Sequence, residues 1–256
     1  MNDDILTIVC SNRDRLSVDN IATKLWIRSI KNQTVKNFRV IVSDGGSKNY
    51  GEISKLLSDN ISCVQHVLGE KFHRSLLNNV GVRAAKTPYI MTSDVDMFYG
   101  PDFVKTIIEN LNPTTWVQSR TMYWKGDIVH KINNGEIDPS KDINACRIGR
   151  IKKRTTAGGC QCGHIDIWNK VRGYDERYIG WGSEDVDLVR RVSMANFRVR
   201  WLGETLDSIM LFHQPHRKIN YKQDLKDQYS NLRYYQNIRR HDANPEGWGG
   251  IKDIAK

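Results

Sequence analysis

Buried strands and amphipathic helices alternate along the first half of the chain. A continuous apolar run rich in β-branched residues occupies 5–10, the pattern of a strand buried on both faces, and further strands are predicted over 38–42 and 61–68. Between and after them, apolar residues recur at helical spacing over 19–33 and 72–85. Strands that alternate with helices build parallel sheets. The pattern therefore predicts a Rossmann-like α/β fold, with a mixed, mostly parallel sheet flanked by helices.

The second half of the chain has shorter elements and one long irregular segment. The elements predicted there are a helix from Phe103, a strand over 116–124, a short helix over 166–171, strands over 198–202 and 208–212, and a basic helix over 222–240. The helix over 222–240 is expected to dock through Leu225, Tyr229 and Leu232. Residues 125–154 lose periodicity, which predicts a long functional loop.

Two aspartates one residue apart end the apolar run that begins at Tyr89. Side chains at i and i+2 of a strand point to the same side, so Asp94 and Asp96 are expected to project together from a sheet edge. Their oxygens suit Mg²⁺ or Mn²⁺ holding a diphosphate, because two carboxylates this close repel unless a cation joins them. The alternative is a strand-to-turn junction where Asp caps the turn. His213 ends a later strand, where a histidine is structural unless carboxylates converge on it.

Two further polar positions follow the first two strands. Arg13 comes after the first strand and Asp44 after the second, where Gly45 and Gly46 allow close approach of the backbone. Ligands of open α/β sheets bind at this edge. Arg13 is therefore a candidate phosphate contact, with an ion pair to Asp14 as the alternative. Asp44 is placed to accept a hydrogen bond from a base or ribose.

The stretch from 173 to 188 combines glycines, aromatics and acids. Trp181 lies between two glycines, which suits a mobile platform for a sugar better than a core position. Ser183 is predicted to cap a helix. Three acids then fit the positive end of that helix, which is their structural alternative to a functional role: Glu184, Asp185 and Asp187.

Composition bounds these expectations. The chain has 256 residues, 29.6 kDa and 39% hydrophobic residues, enough for one domain with two lobes. A net charge of +10 and a pI near 9.4 imply attraction to an anion: a nucleotide diphosphate, a charged polysaccharide, nucleic acid or a phospholipid surface. Much of the charge lies in 147–154 and 216–240. The run 147–154 is expected to become ordered when an anionic ligand binds.

The cysteines and the lack of a long apolar run indicate a soluble, cytoplasmic protein. Five cysteines are an odd number in a chain too large to need disulfides, which favours reduced thiols. Cys160 and Cys162 lack the usual paired spacing of zinc ligands, so ordinary thiols are favoured over structural zinc. No run approaches the roughly 18 apolar residues of a membrane span, and the first residues are acidic and polar.

Several stretches, in their order along the chain, resemble the metal-dependent GT-A glycosyltransferases, specifically family 2 transferases, animal β-galactosyltransferases and bacterial chondroitin polymerase domains. The matching stretches are Asn12-Arg13, Asp44, 72–81, Asp94-Val95-Asp96, Gly158-Gly159, Gly173-Tyr174, Gly180-Trp181-Gly182-Ser183-Glu184-Asp185 and Met210-Leu211-Phe212-His213. The resemblance covers roughly 5–213. It implies a transferase that moves a sugar, with inversion, from a nucleotide sugar such as a UDP-sugar to a hydroxyl of a glycan or other acceptor.

The resemblance also implies roles for individual residues. The nucleotide would be held by Arg13, Asp44, Phe72 and Arg74, with Phe72 near the base. Asp94 would lie by the ribose or the metal. Asp96 and His213 would bind Mn²⁺ or Mg²⁺ directly.

On the other side of the site, Trp181 would lie on a mobile lid between donor and acceptor sugars. Gly182 and Glu184 would share the acceptor side with it. Asp185 would be the catalytic base, with Glu184 as the second candidate. The expected division is a nucleotide-sugar lobe (1–118), an acceptor lobe (119–213) and a basic helical tail (214–256).

The departures from the family pattern affect the expected identity of the acceptor more than the expected transfer reaction. Ser183 replaces a frequent glycine, Val186 replaces a frequent acid, and the region of Cys160 and Cys162 is unusual. A phosphatase of the Asp-x-Asp type is the rival enzyme, but Phe98 stands where that pattern requires Thr or Val. A polyanion- or nucleic-acid-binding module, or a transferase acting on modified DNA bases, would use the basic surface, although no helix-turn-helix, zinc-finger or RNP motif supports either.

Overall fold

The computed structural model describes residues 4–125, 127–151, 157–215 and 221–252. Its strands are β1 (Leu6–Asn12), β2 (Phe38–Asp44), β3 (Ile61–Gln65), β4 (Tyr89–Asp94), β5 (Met97–Tyr99), β6 (Thr115–Ser119), β7 (Met122–Trp124), β8 (Gly149–Ile151), β9 (Gln161–His164), β10 (Arg198–Leu202), β11 (Leu211–His213), β12 (Gly247–Trp248) and β13 (Ile251–Lys252). Its helices are α1 (Ile21–Lys31), α2 (Tyr50–Leu56), α3 (Arg74–Ala84), α4 (Phe103–Glu109), α5 (Ile128–Asn133), α6 (Ile165–Val171), α7 (Glu184–Met194) and α8 (Tyr221–Asn237).

A seven-stranded sheet forms the centre, in the order β10-β6-β9-β4-β1-β2-β3. β1 runs parallel to β2 and β4, β2 parallel to β3, and β6 parallel to β10, whereas β9 is antiparallel to β4 and β6. Every residue of β1 is buried, as expected for a central strand without polar alternation. The predicted mixed, mostly parallel sheet flanked by helices is confirmed.

A smaller sheet, in the order β5-β11-β7-β8, begins where the chain leaves the large sheet. β4 ends at Asp94, and Asp96 lies in the turn before β5, so the two aspartates do not share one strand as the i, i+2 argument expected. β5 pairs antiparallel with β11, with Met97 opposite His213. This pairing brings Asp96 beside the end of β11.

Two sequence-based boundaries in the middle of the chain are wrong. The single strand predicted over 116–124 is two strands, β6 in the large sheet and β7 in the small one, because the chain turns at Arg120, whose N–H donates to the carbonyl of Leu202. The irregular segment predicted over 125–154 contains α5 and β8. The buried side chains of Ile128 and Ile132 lie one helical turn apart, a signal too short to separate from its polar surroundings.

Other predicted boundaries differ from the observed ones by only a few residues. β3 ends at Gln65 rather than at 68, and β11 begins at Leu211 because 206–208 form a 3₁₀ turn. Further 3₁₀ turns lie at Asn144–Cys146 and Ala157–Gly159. The predicted cap at Ser183 is not formed: Ser183 precedes α7, but its side chain makes no capping hydrogen bond and its φ is +73°.

The C-terminal helix does not dock as predicted, since Tyr229 is 69% and Leu232 41% exposed. Polar and aromatic side chains of α8 make the contacts instead, and Tyr234 packs edge-on against Tyr178. Asn231 donates to the carbonyls of Ile179 and Trp181 (3.2 and 3.3 Å), and the Tyr234 hydroxyl donates to Asp175 (2.6 Å). α8 therefore holds the segment that carries Trp181.

The core includes the fully buried side chains of Cys160, which precedes β9, and Cys162, which lies within it, and all five cysteines are free thiols. The run 147–154, predicted to become ordered on ligand binding, lies partly outside the described residues. No helix within the described part of the chain is long and apolar enough to cross a membrane.

Candidate active site

One guanidinium joins three carboxylates at the carboxyl edge of the large sheet. Arg74 is the first residue of α3, and its Nε and Nη2 lie 3.0 and 2.9 Å from Oδ1 of Asp94 at the end of β4. Its Nη1 lies 2.5 Å from Oδ1 of Asp185 and 3.3 Å from Oε1 of Glu184, the first two residues of α7. Its Nη2 also donates to the carbonyl of Gly158 (3.0 Å). The structure thus brings together four of the residues that sequence predicted for the site.

Burial shifts the titration of both acids of α7. Burial raises the pKa of Glu184 to about 7, with the neighbouring Asp185 adding to the rise and Arg74 opposing it. Burial likewise raises the pKa of Asp185, against the lowering effect of Arg74. The two carboxyls differ in access, since 21% of the Asp185 side chain is exposed and 6% of the Glu184 side chain. Asp185 is therefore the more accessible of the two possible proton acceptors.

Backbone and amide groups fix the surroundings of Asp185. The Gln161 side chain donates to the backbone carbonyl of Asp185 (3.1 Å) and to its Oδ1 (3.3 Å). A Cβ on Gly158 would lie 2.5 Å from Oδ2 of Asp185, so only glycine leaves room for the carboxylate there. The matching glycine pair noted in the sequence thus has a steric reason.

Backbone conformation explains the glycines that precede α7. Gly180, Gly182 and Ser183 have φ values of +76°, +107° and +73°. Positive φ favours glycine, so the residue at 183 is strained relative to the glycine frequent in similar sequences. This turn sets Trp181, which is 45% exposed, beside the acids of α7.

Asp96 and His213 form a second group. Oδ1 of Asp96 lies 3.7 Å from Nε2 of His213, and Oδ2 lies 3.6 Å from Nη1 of Arg15. The imidazole of His213 stacks on the ring of Tyr123, with centroids 4.6 Å apart, which fixes its orientation. Asp94 is directed to Arg74 instead.

The chemistry of this pair fits a divalent cation. A carboxylate and an imidazole both suit Mn²⁺, and such ions complete their coordination with substrate phosphates and water. Within the described residues, no three His, Cys, Asp or Glu side chains converge on one point. Asp96 and His213 would therefore supply two protein ligands, and any further ligands would come from elsewhere.

Asp44 lies at the end of β2 and is completely buried. Its Oδ1 accepts hydrogen bonds from the side chains of Asn12 (2.8 Å) and Ser47 (2.5 Å). Its Oδ2 accepts from the backbone N–H groups of Gly46 (3.1 Å) and Ser47 (2.9 Å). These bonds order the turn after β2 and engage both oxygens of the predicted nucleotide contact.

The remaining residues predicted to bind the nucleotide sugar lie at the same edge of the sheet. The Arg13 guanidinium donates to the carbonyl of Gly69 (2.7 Å) and so shapes the segment before α3. Phe72 is 37% exposed, and its carbonyl accepts from the N–H of Gly180 (3.2 Å). That bond links the predicted base contact to the segment that carries Trp181.

The sequence predicted no role in the site for four contributors, although Gly173-Tyr174 is among the stretches that resemble the family: Arg15, Gln161, Tyr174 and Asn231. Arg15 is the second arginine of a segment where only Arg13 was considered. Gln161 lies between Cys160 and Cys162, and its local sequence gives no sign of a role in the site. The Tyr174 ring centroid lies 5.9 Å from the guanidinium carbon of Arg74, and its hydroxyl pairs with Thr92 (2.7 Å). Only the position of Tyr174 after Gly173 offered a signal.

Comparison with known proteins agrees with this geometry. The model of glycosyl transferase family 2 matches residues 24–165, more than half of the chain, and a model described as the N-terminal domain of galactosyltransferase matches 145–215. A search of curated protein sequences found no match.

Solved structures show the same fold. TarS 1–349 from S. aureus, in complex with UDP-GlcNAc, is 14% identical over 90% of this chain, with a TM-score of 0.62. The chain spans 65% of that fragment. A mutant of Drosophila β-1,4-galactosyltransferase 7, in complex with manganese, UDP-Gal and xylobiose, is 16% identical over 94% of this chain and 82% of its own, with a TM-score of 0.59. The resemblance inferred from sequence is therefore confirmed: the chain belongs to glycosyl transferase family 2 and has the GT-A fold of these enzymes.

Proposed function

We propose that this protein transfers a sugar from a UDP-sugar to a hydroxyl group of a glycan, with inversion at the anomeric carbon and with a divalent cation, Mn²⁺ best. One observation carries the proposal. In this family 2 chain, Asp96 lies two residues after Asp94 and faces the imidazole of His213. Arg74 joins Asp94 directly to the acids of α7. The pair proposed to bind the metal and the pair proposed to accept the proton would thus share one edge of the sheet.

The lobe 1–118 would hold the donor. Arg13, Phe72 and Asp94 supply a cation, an aromatic face and a carboxylate at the edge where ligands of open α/β sheets bind. Asp44 would act through the turn that it orders, whose backbone allows close approach. TarS was solved with UDP-GlcNAc and the galactosyltransferase with UDP-Gal, which supports a uridine diphosphate donor.

Asp96 and His213 would hold the cation, with Asp94 as the nearest further carboxylate along the chain. A bound Mn²⁺ or Mg²⁺ stabilises negative charge on a leaving diphosphate. The complex of the galactosyltransferase with manganese supports this choice of ion. Tyr123 keeps the His213 ring in a fixed orientation towards Asp96.

Asp185 would be the general base. In a single displacement, the acceptor oxygen bonds to the anomeric carbon, the bond from that carbon to the diphosphate oxygen breaks with its electron pair, and the acceptor proton passes to the Asp185 carboxylate. Attack from the side opposite the leaving group inverts the anomeric carbon. Asp185 is preferred over Glu184 because its side chain is the more exposed of the two.

The lobe 119–213 would bind the acceptor through Trp181, Gly182 and Glu184. Trp181 offers an exposed aromatic face of the kind on which sugar rings pack, and α8, in the tail 214–256, holds its segment through Asn231. Xylobiose in the galactosyltransferase complex supports a glycan acceptor.

The proposal is tested by release of UDP from a panel of UDP-sugars, with and without Mn²⁺, for the wild type and Asp96→Asn. We expect Mn²⁺-dependent turnover of at least one UDP-sugar and a large loss of Mn²⁺ affinity in Asp96→Asn. The matched control is Asp207→Asn, an exposed aspartate in a 3₁₀ turn away from the site, which should behave as wild type. Full turnover in excess EDTA would refute the metal requirement, and turnover of GDP-sugars alone would refute the donor.

A further inference from the structure

We propose that Arg74 is a positioning residue for the general base: its guanidinium orients the Asp185 carboxylate and keeps it available to accept a proton. This inference rests on the proposed function, because it takes Asp185 as the base. It differs from the role that family resemblance implies for Arg74, which is contact with the nucleotide.

The hydrogen bonds of Arg74 support a role towards protein groups. A guanidinium has five N–H donors in a fixed fork. Here five contacts engage them: Nε and Nη2 to Asp94, Nη1 to Asp185 and to Glu184, and Nη2 to the carbonyl of Gly158. Contact with a diphosphate would have to replace one of these bonds.

Arg74 occupies a position that is unfavourable for a cation. A cation in the first turn of a helix lies at the positive end of the helix dipole, which is unfavourable. Arg74 is only 9% exposed, so it also loses hydration. Burial lowers the pKa of its guanidinium, but Asp185 and Asp94 outweigh that effect and raise it. The arginine is therefore tolerated because of the carboxylates that surround it.

Asp185 in turn depends on Arg74 to stay ionised. The groups that face Asp185 are Arg74 from α3, Asp94 from β4, Glu184 beside it and the Tyr174 hydroxyl. Burial and Asp94 raise the pKa of Asp185, and Arg74 is the cation that opposes them. Without Arg74, a larger share of Asp185 would be protonated near neutral pH, and a protonated carboxyl is not a base.

The test is the pH dependence of kcat for Arg74→Gln and Arg74→Lys, together with UDP affinity measured by calorimetry in the presence of Mn²⁺. An arginine beside an aspartate typically lowers the carboxyl pKa by about 1–3 units. We expect the acid limb of the kcat profile to move to higher pH by about 1–2 units in Arg74→Gln and to be partly restored in Arg74→Lys. UDP affinity should change less than about threefold.

The control is Arg13→Gln, which removes a cation from the same sheet edge without a contact to Asp185. It should weaken UDP binding and leave the acid limb in place. The inference is overturned if Arg74→Gln keeps the wild-type acid limb, or if it loses UDP affinity more than about tenfold with unchanged kcat, as a donor contact would. If Arg74→Gln does not fold, Arg74→Met, which also removes the charge but keeps an unbranched side chain, is measured against the same outcomes.

A second measurement separates this inference from the proposed function. The ¹³C chemical shift of the Asp185 carboxyl can be titrated without any turnover. A higher titration midpoint in the Arg74 variant supports the positioning role even if no UDP-sugar is hydrolysed. An unchanged midpoint refutes that role even if the wild type is an active transferase.

Discussion

Two acids at the same edge of the sheet are held in opposite ways. Asp44 accepts hydrogen bonds from Asn12, Gly46 and Ser47, all neutral donors, two of which lie within three residues of it in sequence. Asp185 shares one cation with Glu184 and Asp94, and these groups come from three separate segments. The first arrangement satisfies one charge with several dipoles, whereas the second crowds three charges around one guanidinium.

This difference indicates that Asp44 has a structural role and that the acids of α7 have a role in the reaction. A carboxylate whose oxygens are satisfied locally stabilises its turn and keeps the backbone in place. The pKa values of Glu184 and Asp185 are raised, first by burial and then by neighbouring carboxylates, which favours proton exchange closer to neutral pH. We expect the acid of the turn after β2 to matter for stability and the acids of α7 to matter for rate.

The largest expected effect is on rate, in Asp185→Asn. Removal of a general base typically lowers the rate by ~10²–10⁴-fold. The free energy of unfolding should change by less than about 1 kcal/mol, because the substitution removes a charge whose burial is unfavourable and keeps the shape of the side chain. Sugar transfer and urea denaturation of the same preparation measure both quantities.

Asp185→Asn also tests the choice of base. Transfer at nearly the wild-type rate would make Glu184 the better candidate, with Glu184→Gln as the matched variant. A protein that melts far earlier, with activity falling only in step, would make Asp185 structural and would erase the contrast with Asp44.

The next effect is on stability, in Asp44→Ala. This substitution leaves the Asn12 amide and the N–H groups of the turn buried without their acceptor, which typically costs about 1–3 kcal/mol for the first group and more for several. We expect a loss of about 2–4 kcal/mol in urea denaturation. Asp44→Asn keeps one acceptor oxygen and should lose less. If both variants unfold like the wild type while UDP binding disappears, Asp44 is a direct ligand contact instead.

The smallest effect is a change in the pH dependence of stability, in Glu184→Gln. The pKa of Glu184 is raised from 4.5 to about 7 by burial first and then by Asp185. The folded state therefore holds this proton more tightly than the unfolded state, and stability falls as pH rises from about 4.5 to about 7. Glu184→Gln should remove that fall, so the variant gains ~1–3 kcal/mol over wild type at pH 8 relative to their difference at pH 4.5.

Melting curves of both proteins from pH 4.5 to pH 8 provide the measurement. Equal pH slopes would mean that the Arg74 interaction compensates the burial of Glu184 fully. In that case, the crowding of charge that distinguishes α7 from the turn after β2 would be smaller than the geometry indicates.

The sequence by itself determined the parts of this protein that depend on local pattern. The continuous apolar runs placed β1, β2 and β4, and helical periodicity placed α1 and α3. The Asp-Gly-Gly turn after β2 is ordered mainly by residues within three positions of Asp44, which is why its place at the sheet edge was predictable. Motif order was enough to identify the family.

Only the tertiary structure decided which of these residues act together. Arg74 and Asp185 are 111 positions apart, and Asp96 meets His213 because β5 pairs with β11. Apolar periodicity indicates which face of an element is buried but not what covers it. Of the three residues through which α8 was expected to dock, Leu225 is half-buried, whereas Tyr229 and Leu232 are exposed, and Asn231 and Tyr234 make the contacts. Charge competition around Arg74 is likewise a property of distances between distant segments, and no local pattern encodes it.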